Sequence, residues 1–298
     1  MAARTAGVLL AVALLSFALL RAAPGGPFSE DRSVPAAVRA NLEKRYHLDE
    51  PLALQAARYL WDLAHGDLGP SFRYADFTVN DLLAVGLPST LALGAAAMAF
   101  ALAIGIPLGM AAAARRGGLI DRLASGISVA GLALPTFVLG PLLVAFFAVT
   151  LRWFEPSGLE HPADLVLPAI ALGAGPLAVI TRLTRAGMLD TLSQEYIRTA
   201  RAKGLPERTV LFRHGLRPSL VPVLTYLGPA LAAVLTGSLV VESVFTIPGI
   251  GQYVVRGAFN RDYPVVLGVI LVGTTFLVVA NALVDLLLTA LDPRVRER

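Results

Sequence analysis

An all-α membrane protein with six transmembrane helices is the fold class this sequence predicts, and three observations predict it. Of its 298 residues 56% are hydrophobic, and the mean hydropathy is +0.68. Only 15% are charged, against about 25% in an ordinary soluble domain, and the deficit is spread along the whole chain. The apolar residues gather into six runs. A soluble core of this composition would expose large apolar patches; lipid is the solvent that fits it.

The spans are expected at about 5–22, 87–114, 123–151, 163–182, 220–243 and 264–291, in a single domain covering 1–298. Crossing about 30 Å of hydrocarbon takes about 20 helical residues. Runs two, three, five and six meet this. Run four, Leu165 to Thr181, is short and must recruit His161 to Ala163 or let Arg182 snorkel. Run one, Gly7 to Leu20 between Arg4 and Arg21, reads alone as either a span or a signal peptide. Five later spans favour the helix, since an even total puts both ends on one side.

Basic residues in short loops set the orientation. Arg115, Arg116 and Arg122 follow run two; Arg182, Arg185, Arg198, Arg201, Lys203, Arg208, Arg213 and Arg217 follow run four; Arg294, Arg296 and Arg298 close the tail. The opposite short loops hold only Arg152, Arg256 and Arg261. Both termini and both basic loops are therefore expected in the cytoplasm, and the long loop 23–86 outside. In that loop Pro24-Gly25-Gly26-Pro27 breaks the first helix, Pro35 opens a helix to about Tyr46, and Pro51 opens another carrying Leu52, Ala56, Tyr59, Leu60 and Leu63 at helical spacing. The segment is too short for a core of its own, so these helices are expected to cap the bundle.

Composition also excludes chemistry. The chain has no cysteine, which removes disulfides, thiol catalysis and thiolate metal sites. His47, His65, His161 and His214 lie far apart without ligand spacing, so no metal site is expected. The net charge of +4 is not gathered into a basic stripe, so nucleic acid is not an expected partner. A phosphate-binding loop needs a lysine preceded by glycine at a helix start, yet Lys44 follows Glu43 and Lys203 follows Ala202; any nucleotidase must be a partner. Ionisable groups stay off the span midplanes. Glu242 falls near the outer end of span five, Asp285 near the inner end of span six one turn after Asn281, and Arg182 and Arg185 at the inner end of span four. A proton-coupled carrier wants a midplane carboxylate, and none is offered. An intramembrane enzyme would need converging nucleophile, base or metal ligands, and the spans hold only scattered serines. Pro107, Pro135, Pro141, Pro168, Pro176 and Pro229 interrupt the spans, while Gly94, Gly105, Gly109 and Gly131 permit close helix contact.

The most informative stretch is the cytoplasmic loop 183–219, whose part from Asp190 reads DTLSQEYIRTARAKGLPERTVLFRHGLRPS. Thr191 and Gln194 have capping-box spacing, which predicts a helix start there. Glu195 falls early and Arg198, Arg201 and Lys203 late, matching the helix dipole. Gly204 fits a helix stop and Pro206 the first turn of a second helix. One face carries Tyr196, Thr199, Ala200 and Lys203, and its small residues suit a groove in another protein. From the residues alone, an amphipathic loop lying on anionic lipid heads fits as well.

This loop resembles the EAA loop of binding-protein-dependent ABC importer permeases, in the form found in the dipeptide/oligopeptide/nickel family. The matching residues run from Glu195 through Tyr196, Ile197, Arg198, Thr199, Ala200, Arg201, Ala202, Lys203 and Gly204 to Leu205. Leu48-Asp49-Glu50-Pro51-Leu52 and Gly66-Asp67-Leu68-Gly69 resemble that family's first outer loop and mark a B-type subunit; Val241 to Gly268 resembles its last outer loop. The similarity covers nearly the whole chain, and the departure from it is a shorter stretch before the first span. The resemblance implies the ABC importer permease (MetI-like) fold in the cell inner membrane. It also implies a second homologous permease, two cytoplasmic ABC ATPases that hold ATP and Mg, and an extracytoplasmic binding protein. This chain itself would bind no cofactor and catalyse no reaction. Peptide is the implied substrate, with nickel or another small solute the alternative. Glu195, Tyr196, Arg198, Thr199, Ala200, Lys203 and Gly204 would then form the ATPase-coupling element. Pro248, Gly249, Gly251 and Tyr263 would form an outer gate or binding-protein contact, with a return loop anchored by Tyr253, Phe259 and Tyr263 as the plainer reading.

Overall fold

The computed structural model describes residues 2–22, 49–74 and 76–291. The expected break at Pro24 to Pro27, the expected helix from Pro35 to Tyr46 and the basic tail lie outside these residues. Ten helices of eight residues or more carry the described chain: α1 (Ala2–Ala22), α2 (Leu52–Ala64), α3 (Val79–Ala114), α4 (Leu119–Ala133), α5 (Thr136–Leu143), α6 (Val166–Leu192), α7 (Glu195–Ala202), α8 (Val221–Val244), α9 (Ile250–Phe259) and α10 (Tyr263–Leu291). Among the described residues four helical stretches are long and apolar enough to cross a membrane, and a bent pair makes a fifth. Helix α1 has a shorter apolar stretch, Gly7–Ala18.

Three elements depart from the expected boundaries, each for a local reason. Helix α3 begins at Val79 rather than near 87. Thr78 and Asp81 cap it reciprocally: the Thr78 amide donates to Asp81 Oδ2 at 2.9 Å and the Asp81 amide to Thr78 Oγ1 at 3.2 Å. Span three is not one rod. Its two helical halves, Leu119–Ala133 and Thr136–Thr150, meet at 109°. Pro135 has no N–H to continue α4 and holds Leu134 in an extended conformation (φ −87°, ψ 114°), so the chain turns there. The second half continues from α5 into π-helical turns over Val144–Thr150. Span four is longer than expected. A 3₁₀ turn at Pro162–Leu165 leads into α6, which runs past Arg182 and Arg185 to Leu192.

The chain divides into two compact units. Among the described residues the larger comprises 90–248 and 279–291. Its core is built on α6 and packs Leu93, Ala97, Ala101, Leu167, Leu172, Ile180, Val234 and Phe245 together. With lipid outside, such helices associate through van der Waals fit more than through burial from water, which favours small residues at the crossings. A side-chain carbon at Gly109 would lie 2.5 Å from the Thr181 carbonyl oxygen, and one at Gly173 would lie 2.6 Å from that of Ala97. Helices α3 and α6 therefore touch backbone to backbone at two levels. An ion pair adds to this unit: Arg185 donates from Nε to Asp121 Oδ1 (2.5 Å) and from its terminal nitrogen to Oδ2 (2.8 Å). The fork joins the first turn of α4 to α6.

The smaller unit comprises the described residues before 90 together with 249–278, and packs Val79, Leu82 and Leu83 of α3 against Ile250, Val265 and Val269. Its polar anchor is Asp262, which is fully buried. That carboxylate accepts the Ser71 hydroxyl (2.5 Å) and the amides of Phe72 (3.0 Å) and Arg73 (3.2 Å).

Candidate functional site

The polar segment after α6 forms a helical hairpin. Ser193 ends α6, and Gln194 turns extended (φ −72°, ψ 151°) as the N-cap of α7. The predicted start at Thr191 is therefore corrected. Thr191 is buried in the last turn of α6, which continues through it instead of stopping at the arginines. At the other end, the Leu205 amide reaches the Ala200 carbonyl (3.3 Å) and the Gly204 amide that of Arg201 (2.9 Å). This pair of bonds is a Schellman cap. Gly204 sits at φ +76°, with nothing within 4 Å of where a side chain would begin, so backbone conformation alone selects glycine there. Pro206 is the N-cap of the next turn (Glu207–Thr209), which runs on through π-helical Val210–Leu216 and Arg217–Ser219 into α8.

A small core holds the hairpin closed. Ile197 and Val210 are fully buried and pack with Ala200 beside Leu192. This corrects the predicted docking face: Ala200 is 6% exposed and turned into its own chain. Glu195, Tyr196, Arg198, Thr199 and Lys203 remain exposed. The hairpin is also fixed to α6, because a side chain at Gly187 would collide with the Ser219 backbone at 2.7 Å. Arg201 forks onto Glu207 with two bonds of 2.7 and 3.1 Å, tying α7 to the turn after it. That hydrogen-bonded guanidinium holds the Glu207 carboxyl below the usual carboxylate range. Arg198, Arg201, Lys203, Arg208, Arg213 and Arg217 are all exposed, giving the hairpin a basic surface.

The second predicted group lies after α8. Glu242 is fully buried in the larger unit, where the Thr90 hydroxyl donates to it at 2.7 Å. The sharp reversal beyond it comes at Thr246, which adopts φ +53°, and the Ile247 amide closes it on the Glu242 carbonyl (2.9 Å). The two glycines of the predicted outer group lie beyond this turn. Gly249 is the extended N-cap of α9, and Gly251 is buried inside that helix. In the smaller unit, a side chain at Gly86 would strike the Ile250 amide at 3.0 Å, so α3 passes tightly against the start of α9. Tyr263 begins α10 and is 9% exposed, while Phe259 is 85% exposed. Phe259 can thus face an interface belt as expected, and Tyr263 cannot. Pro248 belongs to the larger unit, and Gly249, Gly251 and Tyr263 belong to the smaller one.

Apolar helices of membrane-crossing length, a proline-broken span and a basic capped hairpin make this a membrane-embedded protein, with no set of groups converging for covalent chemistry among the described residues. Residues 105–297 match the family described as binding-protein-dependent transport system inner membrane component, and the chain belongs to that family. Members are inner-membrane components of ABC transporters and not enzymes. The chain is 45% identical to the oligopeptide transport system permease protein OppB of Salmonella typhimurium over 284 residues, 95% of this chain and 93% of that protein. It is 43% identical to the dipeptide transport system permease protein DppB of Bacillus subtilis over 291 residues, 98% and 94% of the two chains. Among solved structures, an inward-facing MetNI methionine ABC transporter matches at TM-score 0.60 and 20% identity, covering 71% of this chain and 96% of that chain. That likeness establishes the ABC importer permease fold.

Proposed function

We propose that this chain is the B-type permease of an ATP-driven importer that moves di- or oligopeptides across the cytoplasmic membrane by alternating access. Six spans cross the membrane, with α1 as the first and the bent pair as the third. Both termini and the α7 hairpin face the cytoplasm. A second, homologous permease completes the pore, an extracytoplasmic binding protein delivers peptide, and two ATPases bearing ATP and Mg supply the work.

The observation that carries this reading is the construction of α7. It is a short rod closed by a Schellman cap at its C-terminal end, seated on its own apolar core and fixed to α6, and it turns Glu195, Tyr196, Arg198, Thr199 and Lys203 outward. A rod so mounted passes a push from an ATPase cleft into the bundle as a rigid-body motion. Ala200 and Gly204 serve the same coupling from inside, one by close packing and the other by its left-handed cap. Pro248, Gly249, Gly251 and Tyr263 set the path of the outer return, which gates the pore or meets the binding protein.

Reconstitution in proteoliposomes with both permeases, both ATPases and the binding protein tests the assignment. Uptake of a labelled tripeptide is expected with ATP and absent with a proton gradient alone. Uptake driven by the gradient without ATPases overturns it. Because the chain has no cysteine, Thr199→Cys can be cross-linked to single cysteines in the ATPase. Failure to cross-link in every nucleotide state removes the coupling role.

A further inference from the structure

The bend in span three opens onto a cavity of about 260 Å³ inside the larger unit. Its wall comes from three stretches: the α4–α5 junction at Gly131 to Thr136, the middle of α6 from Ala171 to Pro176, and α8 from Ala233 to Gly237. Each falls near the middle of its apolar segment, so the cavity lies at the depth where discontinuous helices of transporters hold their cargo. No lining residue is ionisable.

The hydrogen-bonding capacity of this wall is in the backbone, and the prolines create it. In a helix the carbonyl of residue i takes the amide of residue i+4. For Gly131 that residue is Pro135, and for Leu172 it is Pro176; neither has an N–H to give. Both Gly131 and Leu172 line the cavity. Irregular backbone of this kind is tolerated at membrane depth only where it lines a cavity or is buried in protein. The same wall carries donors. Helix α5 starts at Thr136, a lining residue; the Pro135 carbonyl takes the Val138 and Leu139 amides, so the donors that no preceding carbonyl of the helix serves are those of Thr136 and Phe137. Two acceptors and a donor edge are the complement of a peptide unit, which offers one N–H and one C=O. The volume is below the 300–1,000 Å³ typical of a pocket enclosing a whole small ligand, and suits a short length of main chain.

We infer that this cavity is a main-chain binding site on the translocation path. It holds an extended peptide by its amide groups at the carbonyls of Gly131 and Leu172 and at the α5 N-terminus, while uncharged walls leave the peptide's side chains unread. The inference rests on the peptide assignment above and adds to it where this subunit touches its cargo and why cargo sequence matters little there.

Gly175 supplies the test, because it lines the cavity and a side chain there would begin in open space. In the complete importer, Gly175→Asp puts a carboxylate beside the path without disturbing packing. Uptake of labelled tri-lysine relative to tri-glutamate is expected to rise about tenfold over wild type, the scale of a single close charge interaction, while Gly175→Ala leaves the ratio unchanged. Pro176→Ala returns an amide to the Leu172 carbonyl, and is expected to raise the KM for tri-alanine uptake several-fold with ATPase activity retained. An unchanged charge ratio in Gly175→Asp, in an importer whose wild type transports all three peptides, overturns the inference alone. A wild-type importer that moves none of them overturns the peptide assignment instead.

Discussion

Gly204 offers the sharpest test of how the hairpin works, because space and conformation separate there. Nothing lies within 4 Å of a side chain's first carbon, so a substitution meets no neighbour. The whole effect comes from φ +76°, a region that costs an L-residue about 1–2 kcal/mol. Asn visits that region more readily than most residues, and β-branched residues least. Escaping the strain by unwinding the cap forfeits the Leu205–Ala200 and Gly204–Arg201 bonds, each worth about 0.5–1.5 kcal/mol. Either route loosens the cap by about 1 kcal/mol for Ala, roughly a fivefold shift in its population, and by more for Val. Transport per ATP hydrolysed, measured in the reconstituted importer, should therefore fall in the order Gly, Asn, Ala, Val. Membrane insertion should stay intact throughout. Val performing like Gly, or Asn failing as badly as Val, would refute the conformational reasoning.

Other perturbations follow from the remaining anchors. Asp121→Ala leaves Arg185 without its fork and should lower stability in detergent by about 1.5–3 kcal/mol; the exchange of both residues, Asp121→Arg with Arg185→Asp, should recover part of it in thermal unfolding. Asp262→Ala removes the buried acceptor shared by the Ser71 hydroxyl and the Phe72 and Arg73 amides, so limited trypsinolysis at Arg73 should accelerate about tenfold, the scale of losing one hydrogen bond to a charged group at about 1.5 kcal/mol. The exposed Arg201–Glu207 fork should matter little, with Glu207→Gln costing a few tenths of a kcal/mol at most after solvent screening. Its pH dependence has a definite sign. The folded Glu207 pKa lies below the unfolded value, so the contribution is complete above the unfolded value and fades as pH falls through the folded one. Amide exchange in 201–208 should quicken only in mild acid.

Local chemistry made part of this molecule readable in sequence. Spans five and six lie within a residue or so of their expected limits because uniform apolar runs are bounded by polar stretches. Gly204 was readable as a helix stop because a basic last turn followed by glycine and then proline leaves few other conformations. Two misplaced boundaries had local signals as well: Thr78 and Asp81 spell a capping box, and Leu134-Pro135 forces a pre-proline bend in mid-span. The capping-box spacing at Thr191 was misleading because α6 carries on beneath it, and a helix already under way does not need a new start. The rest depends on partners distant in the chain. Ala200 turns inward because Val210 and Leu192 close over it. Asp121 finds Arg185 across 64 residues, and Asp262 finds Ser71 across 191. No periodicity encodes such pairings.

The unbroken run of α6 from Pro176 to Leu192 has a mechanical consequence. At 1.5 Å per residue it is a beam about 24 Å long, with the cavity wall at one end and the mount of α7 at the other. Tilting such a beam by about 10° displaces one end by about 4 Å relative to the other, comparable to the width of a peptide backbone. Gearing of that size needs no unfolding along the shaft. It calls for a stiff clamp along the shaft, such as the Arg185–Asp121 fork.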